Sequence, residues 1–177
     1  MDAPCRQAVR RRKVGGSARV TGMAEPTRTH LSLGSALVAL QFALFGALAL
    51  AAVLAGAGRA VPMQAWALAL AGVALGAWAV ACNRPGNFNI RPEPRAGGQL
   101  IVRGPYRWIR HPMYTAVVAL AAACAAVIGA TAGWLAVAAL AAVLVAKAHV
   151  EERALLIVHP GYAAYRAGTK RFLPGIV

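Results

Sequence analysis

The stretch HPMYTAVVALAAACAAVIGATAGWLAVAALAAVLVA, His111 to Ala146, is 36 residues long and contains no lysine, arginine, aspartate or glutamate. As one helix it would reach about 54 Å at ~1.5 Å per residue, far more than the ~30 Å hydrocarbon core of a bilayer. Gly129-Ala-Thr-Ala-Gly133 interrupts it near the middle, so the run reads as a hairpin of two short membrane helices. Upstream, Leu31–Gly58 and Ala60–Asn83 are further uncharged runs, each long enough for one crossing, for which ~20 residues suffice. The fold class that follows is all-α and integral to the membrane, with four transmembrane helices, the last two forming the short hairpin. A hydrophobic content of 59%, gathered into such runs, excludes an ordinary soluble domain.

The remaining charges set the topology. Seven basic residues precede Leu31, one (Arg59) separates the first two runs, and six lie between Arg84 and Arg110. None lies in the hairpin connection, and five follow from Lys147 to the C-terminus. Lysine and arginine collect on the cytoplasmic side, so this alternation fits four spans with both termini cytoplasmic. An odd number of spans would put one basic cluster outside. The net charge of +14 is thus a membrane signature and calls for no nucleic-acid partner; the partner is the lipid bilayer. Cys5, Cys82 and Cys124 make no CxxC pair and no metal-ligand spacing, so they read as small apolar fillers.

Three regions follow. Residues 1–30, with Arg10-Arg-Arg-Lys13, are basic, without periodicity, and read as disordered; Met23 is an alternative start just ahead of the first span. Residues 31–82 hold two spans with no histidine or charge near their centres and read as scaffold, with Gly72-x-x-x-Gly76 as a candidate close helix contact. Residues 83–177 change character. Arg84 to Arg95 carries three prolines and Gly97-Gly98 follow, which excludes a continuous helix and marks a binding loop or lid. Gln99 to Val102 reads as a short extended piece. The last helix is expected to run outward through Lys147 and His149 to about Val158, where His159-Pro160-Gly161 breaks it. Tyr162-Ala-Ala-Tyr165-Arg166 reads as one or two helical turns with both tyrosines on nearly one face.

Candidate functional residues concentrate at the ends of the hairpin. Pro112 suits the first helical position, because its missing N–H would be unpaired there. His111 then stands at the cap, beside Arg110, and the unpaired N–H groups that follow make a seat for a carboxylate or phosphate. The plainer alternative is an arginine reaching lipid headgroups. Glu151 and Glu152, two of only five acidic residues, return to the same side on the other arm of the hairpin. Glu151 has an alternative as the i,i+4 partner of Lys147. Glu152 has no lysine or arginine three or four positions before it, although His149 is three away. Tyr106, Trp108, Tyr114, Tyr162 and Tyr165 fall near the same level, either as an interfacial aromatic belt or as walls for a base and a cation. His30 and His149 read as interfacial. No GxGxxG, Walker or metal-binding spacing occurs.

In this order, Gly104-Pro-Tyr-x-x-x-Arg110-His-Pro-x-Tyr114, Glu151-Glu152-x-x-Leu155, and Tyr162-x-x-Tyr165 followed by Arg171-Phe-x-Pro174 resemble a family of membrane methyltransferases. That family includes the isoprenylcysteine carboxyl methyltransferases and phospholipid N-methyltransferases. The resemblance covers about Gln99 to Pro174. It implies S-adenosylmethionine bound at the cytoplasmic face and a lipophilic small-molecule or lipidated acceptor bearing a carboxylate, amine or thiol. On that resemblance Arg110, His111 and Pro112 hold the cofactor carboxylate, and Glu151 or Glu152 holds its amino group or ribose. Tyr106, Tyr114, Tyr162 and Tyr165 wall the pocket, and Arg171 closes it or orients an anionic acceptor. Arg110, Glu152 and Arg171 are the expected catalytic residues. Two departures stand out: Ala116 where the family has glycine, and His159-Pro160-Gly161 where a Phe-Gly pair is usual. Two alternatives remain, an NADPH-dependent membrane reductase of the sterol-reductase type and a non-enzymatic small membrane protein. The first usually has Arg-His-Pro-Asn-Tyr where Met113 stands here.

Overall fold

The computed structural model describes residues 28–83 and 99–175, with side chains from Leu33 onward. The expected disorder before residue 28, the proline-rich loop and Cys5 lie outside the described residues. Within them are α1 (Arg28–Gly56), α2 (Met63–Cys82), α3 (Pro112–Ile128), α4 (Thr131–Val158) and α5 (Tyr162–Gly168), with a 3-10 turn at Gly104–Arg107. Among the described residues there is no strand, only a parallel bridge between Ile109 and Lys170. Gln99 to Val102, expected to be extended, forms no strand pairing.

The helix ends follow from their residues. Pro112 is the first residue of α3 and His111 its cap. At the other end Gly129 takes φ 68°, and its N–H bonds back to Ala125 O at 3.0 Å. That left-handed cap suits a residue without Cβ, and it turns the chain into α4 within two residues. The hairpin inside the 36-residue run is therefore present, with unequal arms. α3 is 17 residues, roughly 25 Å, whereas α4 is 28 residues, roughly 42 Å. α1, α2 and α4 are long and apolar enough to cross a bilayer; α3 is an apolar but shorter helix. Phe42, Leu54, Met63, Trp66 and Leu70 are exposed on the outer faces, as expected where lipid replaces water. The chain is an integral membrane protein.

α2 packs most extensively on α3, and α1 lies across both α3 and α4. Leu48, Ala121, Ala125, Val137, Leu140 and Leu144 form the core. A Cβ on Gly72 would meet Leu120 Cγ at 2.9 Å and the Ala116 carbonyl at 3.1 Å, whereas one on Gly76 would meet Ala116 Cβ at an ordinary 3.5 Å. Gly72 alone of the pair makes a close helix approach. The reading of the first two spans as scaffold is incomplete for α1. Gln41 is buried there and accepts a hydrogen bond from Lys147 Nζ of α4 at 2.7 Å.

Candidate functional site

The site is assembled from three segments far apart in sequence. The 3-10 turn at Gly104–Arg107 is fixed against the end of α2. Gly104 has φ 60°, and a Cβ there would overlap Cys82 Sγ and stand 3.3 Å from Trp78 Nε1, so both conformation and space demand glycine. Trp108 meets Trp78 edge-on, with ring centroids 5.7 Å apart. Residues 108–111 then run parallel to the C-terminal tail. Lys170 N–H donates to Trp108 O (3.0 Å), Arg110 N–H to Lys170 O (2.8 Å) and His111 N–H to Arg171 O (3.0 Å). Thr115 Oγ1 donates to Phe172 O at 2.9 Å. This long-range pairing, absent from the sequence reading, carries Arg171 and Phe172 onto the start of α3.

The row of free N–H groups expected at that start is shortened, because His111 N–H already pairs with Arg171 O. The N–H groups of Tyr114 and Thr115 both turn back to the His111 carbonyl at 3.1 Å. Side chains supply the electrostatics instead. Glu152, 2% exposed, is their centre. Its Oε1 accepts from Arg110 Nε at 2.8 Å and Arg171 Nε at 3.2 Å, with His111 Nε2 also at 3.2 Å. Its Oε2 accepts from Arg171 Nη2 at 3.0 Å, and Arg166 Nε stands 3.7 Å away. Arg110 Nη1 reaches on to the carbonyls of Arg166 and Thr169. A buried carboxylate held by several charge-assisted donors has little left to offer a ligand.

Glu151 is different. It accepts one hydrogen bond, from Tyr114 OH at 2.8 Å, with His111 Nδ1 3.7 Å away, and 32% of its side chain is exposed. The Lys147 alternative does not hold, because Lys147 turns to Gln41 and lies over the Tyr114 ring at 5.1 Å. His111 stacks on Tyr114 with centroids 5.1 Å apart and meets Phe172 at 5.8 Å. Arg110, His111, Glu151, Glu152, Tyr114 and Arg171 are thus one contiguous cluster at the Pro112 end of α3.

The remaining tyrosines close a second side. Tyr165 OH donates to Tyr106 O at 2.7 Å, and the rings of Tyr162 and Tyr165 are 5.8 Å apart. Burial, with the negative charge of Glu151 behind it, pushes the Tyr106 hydroxyl up to about 12. Burial also raises the Tyr162 and Tyr165 hydroxyls. All three therefore stay protonated at neutral pH. Tyr162 is 1% exposed, yet its hydroxyl has no hydrogen-bond partner.

Outside Arg110 and Arg171 lies an open cavity of about 350 Å³, lined also by Arg166, Lys170 and residues 167–169. Arg166 and Lys170 escaped the sequence reading because nothing in one sequence separates a site arginine from an interfacial one. Their only signal was position, Arg166 one helical turn beyond Tyr162 and Lys170 next to Arg171. His149 also joins the cluster's edge, with Nε2 3.3 Å from Arg171 Nη1.

Comparison with known proteins adds one finding. A family model described as the isoprenylcysteine carboxyl methyltransferase (ICMT) family matches residues 65–157, just over half of the chain. The match runs from α2 through the two glutamates and stops short of α5 and the tail. No curated protein and no solved structure matches the chain significantly.

Proposed function

We propose that this chain, which belongs to the isoprenylcysteine carboxyl methyltransferase family, transfers a methyl group from S-adenosylmethionine to a lipophilic acceptor. Membership makes it a membrane methyltransferase. Cofactor, acceptor and residue roles are the proposal. The observation that carries it is the cluster itself: three arginines and His111 around buried Glu152, with the freer Glu151 on the far side of His111.

The donor set fits an amino-acid-bearing sulfonium. Arg110 and Arg171 bring two positive charges against the single negative charge of Glu152, which leaves a surplus for a carboxylate. Glu151 retains acceptor capacity for an ammonium group or ribose hydroxyls, and the unpartnered Tyr162 hydroxyl needs an acceptor. In this reading Arg110, His111 and the Pro112 turn orient the carboxylate end, while Tyr106, Tyr114, Tyr162 and Tyr165 wall the pocket. Arg171 closes it or orients an anionic acceptor. Glu152 acts as a positioning residue that holds Arg110 and Arg171 at fixed angles.

When bound, the cofactor supplies a methyl group on positively charged sulfur that is already a good leaving group. The protein's part is orientation and exclusion of water. The buried His111, the Phe172 ring and the tyrosines provide a dry wall. A carboxylate acceptor would bring no proton to remove. An amine or thiol would pass its proton to Glu151, the carboxylate with one hydrogen bond, rather than to Glu152. Four spans with cytoplasmic termini, and the site at the cytoplasmic face, complete the proposal on the charge alternation.

The reductase alternative has no matching support. Titration calorimetry of the purified full chain with S-adenosylhomocysteine and, separately, with NADPH decides between them. Saturable binding of the first, weakened by His111→Ala and Glu151→Ala, is the expected result. Binding of NADPH alone would overturn the reading.

A further inference from the structure

The cavity outside Arg110 and Arg171 is lined by four basic side chains, and most of the backbone carbonyls of its wall are already hydrogen-bonded. The carbonyls of Arg166 and Thr169 are taken by Arg110 Nη1. The carbonyls of Lys170 and Arg171 are taken by the N–H groups of Arg110 and His111, and that of Tyr165 by Thr169 Oγ1 at 2.7 Å. Two of the last four carbonyls of α5, those of Tyr165 and Arg166, are thereby satisfied, which weakens the repulsion that a helix C-terminus ordinarily presents to an anion.

The cations are not equally committed. Arg110 and Arg171 are bound to Glu152. Arg166 makes one ion pair at 3.7 Å with 45% of its side chain exposed. Lys170 is exposed, and among the described residues its ammonium group meets no acid. Four basic side chains line the wall with Glu152 alone behind them. Such a surplus is stabilised when an anion bridges it, and several cations at different angles suit the tetrahedral oxygens of phosphate better than a planar carboxylate, which one arginine can saturate. At about 350 Å³ the cavity takes a headgroup and not an acyl chain. Leu173, half exposed two residues past Arg171, offers an apolar neighbour for such a chain.

We infer that Arg166 and Lys170, over a floor of Arg110 and Arg171, form a subsite for a phosphate ester, filled by the headgroup of an anionic membrane lipid or by a soluble phosphate ester. The inference rests on the proposed methyl transfer only for its meaning, which is that the acceptor or its neighbouring lipid is held by phosphate beside the reacting centre. Binding to the subsite requires no turnover.

The test uses the full chain in two arms. In detergent, sn-glycerol 3-phosphate is titrated by calorimetry. In nanodiscs of phosphatidylcholine, spin-labelled phosphatidylglycerol is titrated and its immobilised fraction measured. Saturable binding in either arm, weakened about tenfold or more in the Arg166→Gln, Lys170→Gln double variant by the loss of two charge-assisted donors, supports the subsite. The arm that responds identifies the source. Both substituted residues are exposed, and a thermal unfolding midpoint in detergent close to that of the unmodified chain shows that the variant is folded. No saturable binding in either arm, or binding indifferent to the double substitution, overturns the subsite and leaves the methyltransferase reading intact. Loss of S-adenosylhomocysteine binding in the unmodified chain would instead overturn that reading alone.

Discussion

Lys147 Nζ donates a 2.7 Å hydrogen bond to Gln41 Oε1 across the contact of α4 with α1. Lys147 is 2% exposed and lies over the ring of Tyr114, whose hydroxyl holds Glu151. A polar path therefore runs from the first span to the candidate site. An ammonium group in this setting is expensive unless it is hydrogen-bonded. Gln41→Leu is expected to destabilise the protein by about 1–3 kcal/mol, because the lysine loses its acceptor while staying buried. Adding Lys147→Met should recover much of that loss, since two apolar partners leave nothing unsatisfied. Thermal unfolding in detergent of the two single variants and the double measures the coupling. Strict additivity would show that the contact contributes nothing.

The two adjacent glutamates should separate cleanly by experiment. Glu152→Gln leaves Arg110, Arg171 and Arg166 facing one another without a buried counter-charge, so stability should fall by about 2–4 kcal/mol and ligand affinity with it. Glu151→Gln keeps an acceptor for Tyr114 and lies at a partly exposed position, so the unfolding midpoint should hardly move. Its S-adenosylhomocysteine affinity should nonetheless drop about tenfold through loss of one charge-assisted contact. The opposite pattern, a stability loss at Glu151 and none at Glu152, would contradict the division of roles.

Why one glutamate and not the other lies inside was not readable in advance. α4 is apolar around its circumference over most of its length, so its sequence has no polar stripe from which to infer rotation. Adjacent residues on a helix point about 100° apart, and only packing decides which faces α3. What was readable rested on local signals. Pro112 marked a helix start, Gly129 a stop, and charges stood out against uncharged spans. The pairing of residues 108–111 with the tail was hidden because it joins segments about sixty residues apart by backbone contacts, without strand alternation. Gln41 was hidden for a related reason: one amide within a long apolar run has no periodicity, and its meaning comes only from Lys147.

The tail should behave as a strap fastened by few bonds. Thr115→Val removes the hydroxyl that donates to Phe172 O at 2.9 Å and lies 3.3 Å from His111 O, while preserving shape. The loss of about 0.5–1.5 kcal/mol of local stability should hasten proteolysis after Arg166, Lys170 and Arg171 and lower S-adenosylhomocysteine affinity a few-fold. The global unfolding midpoint should stay nearly unchanged, because the core between α1 and α4 does not involve the tail. An unaltered cleavage rate would mean that the parallel backbone pairing alone secures the segment.

Tyr162 offers the sharpest contrast between stability and binding. Its hydroxyl is buried without a partner, and a buried hydroxyl that makes no bond has lost its hydration without compensation. Tyr162→Phe should therefore leave the ligand-free protein equally stable or slightly more so. Tyr165→Phe, which removes the 2.7 Å bond to Tyr106 O, should destabilise it by about 1 kcal/mol. If the Tyr162 hydroxyl is kept for a ligand, only Tyr162→Phe should combine intact stability with reduced S-adenosylhomocysteine affinity, by about three- to tenfold for one neutral hydrogen bond. Burial raises both hydroxyls above the ordinary tyrosine range, so the binding difference should persist unchanged as pH rises from neutral toward ~10. Calorimetry at both ends of that range, beside thermal unfolding of the two variants, supplies the check. A Tyr162→Phe protein that binds as tightly as the unmodified chain would return Tyr162 to a packing role.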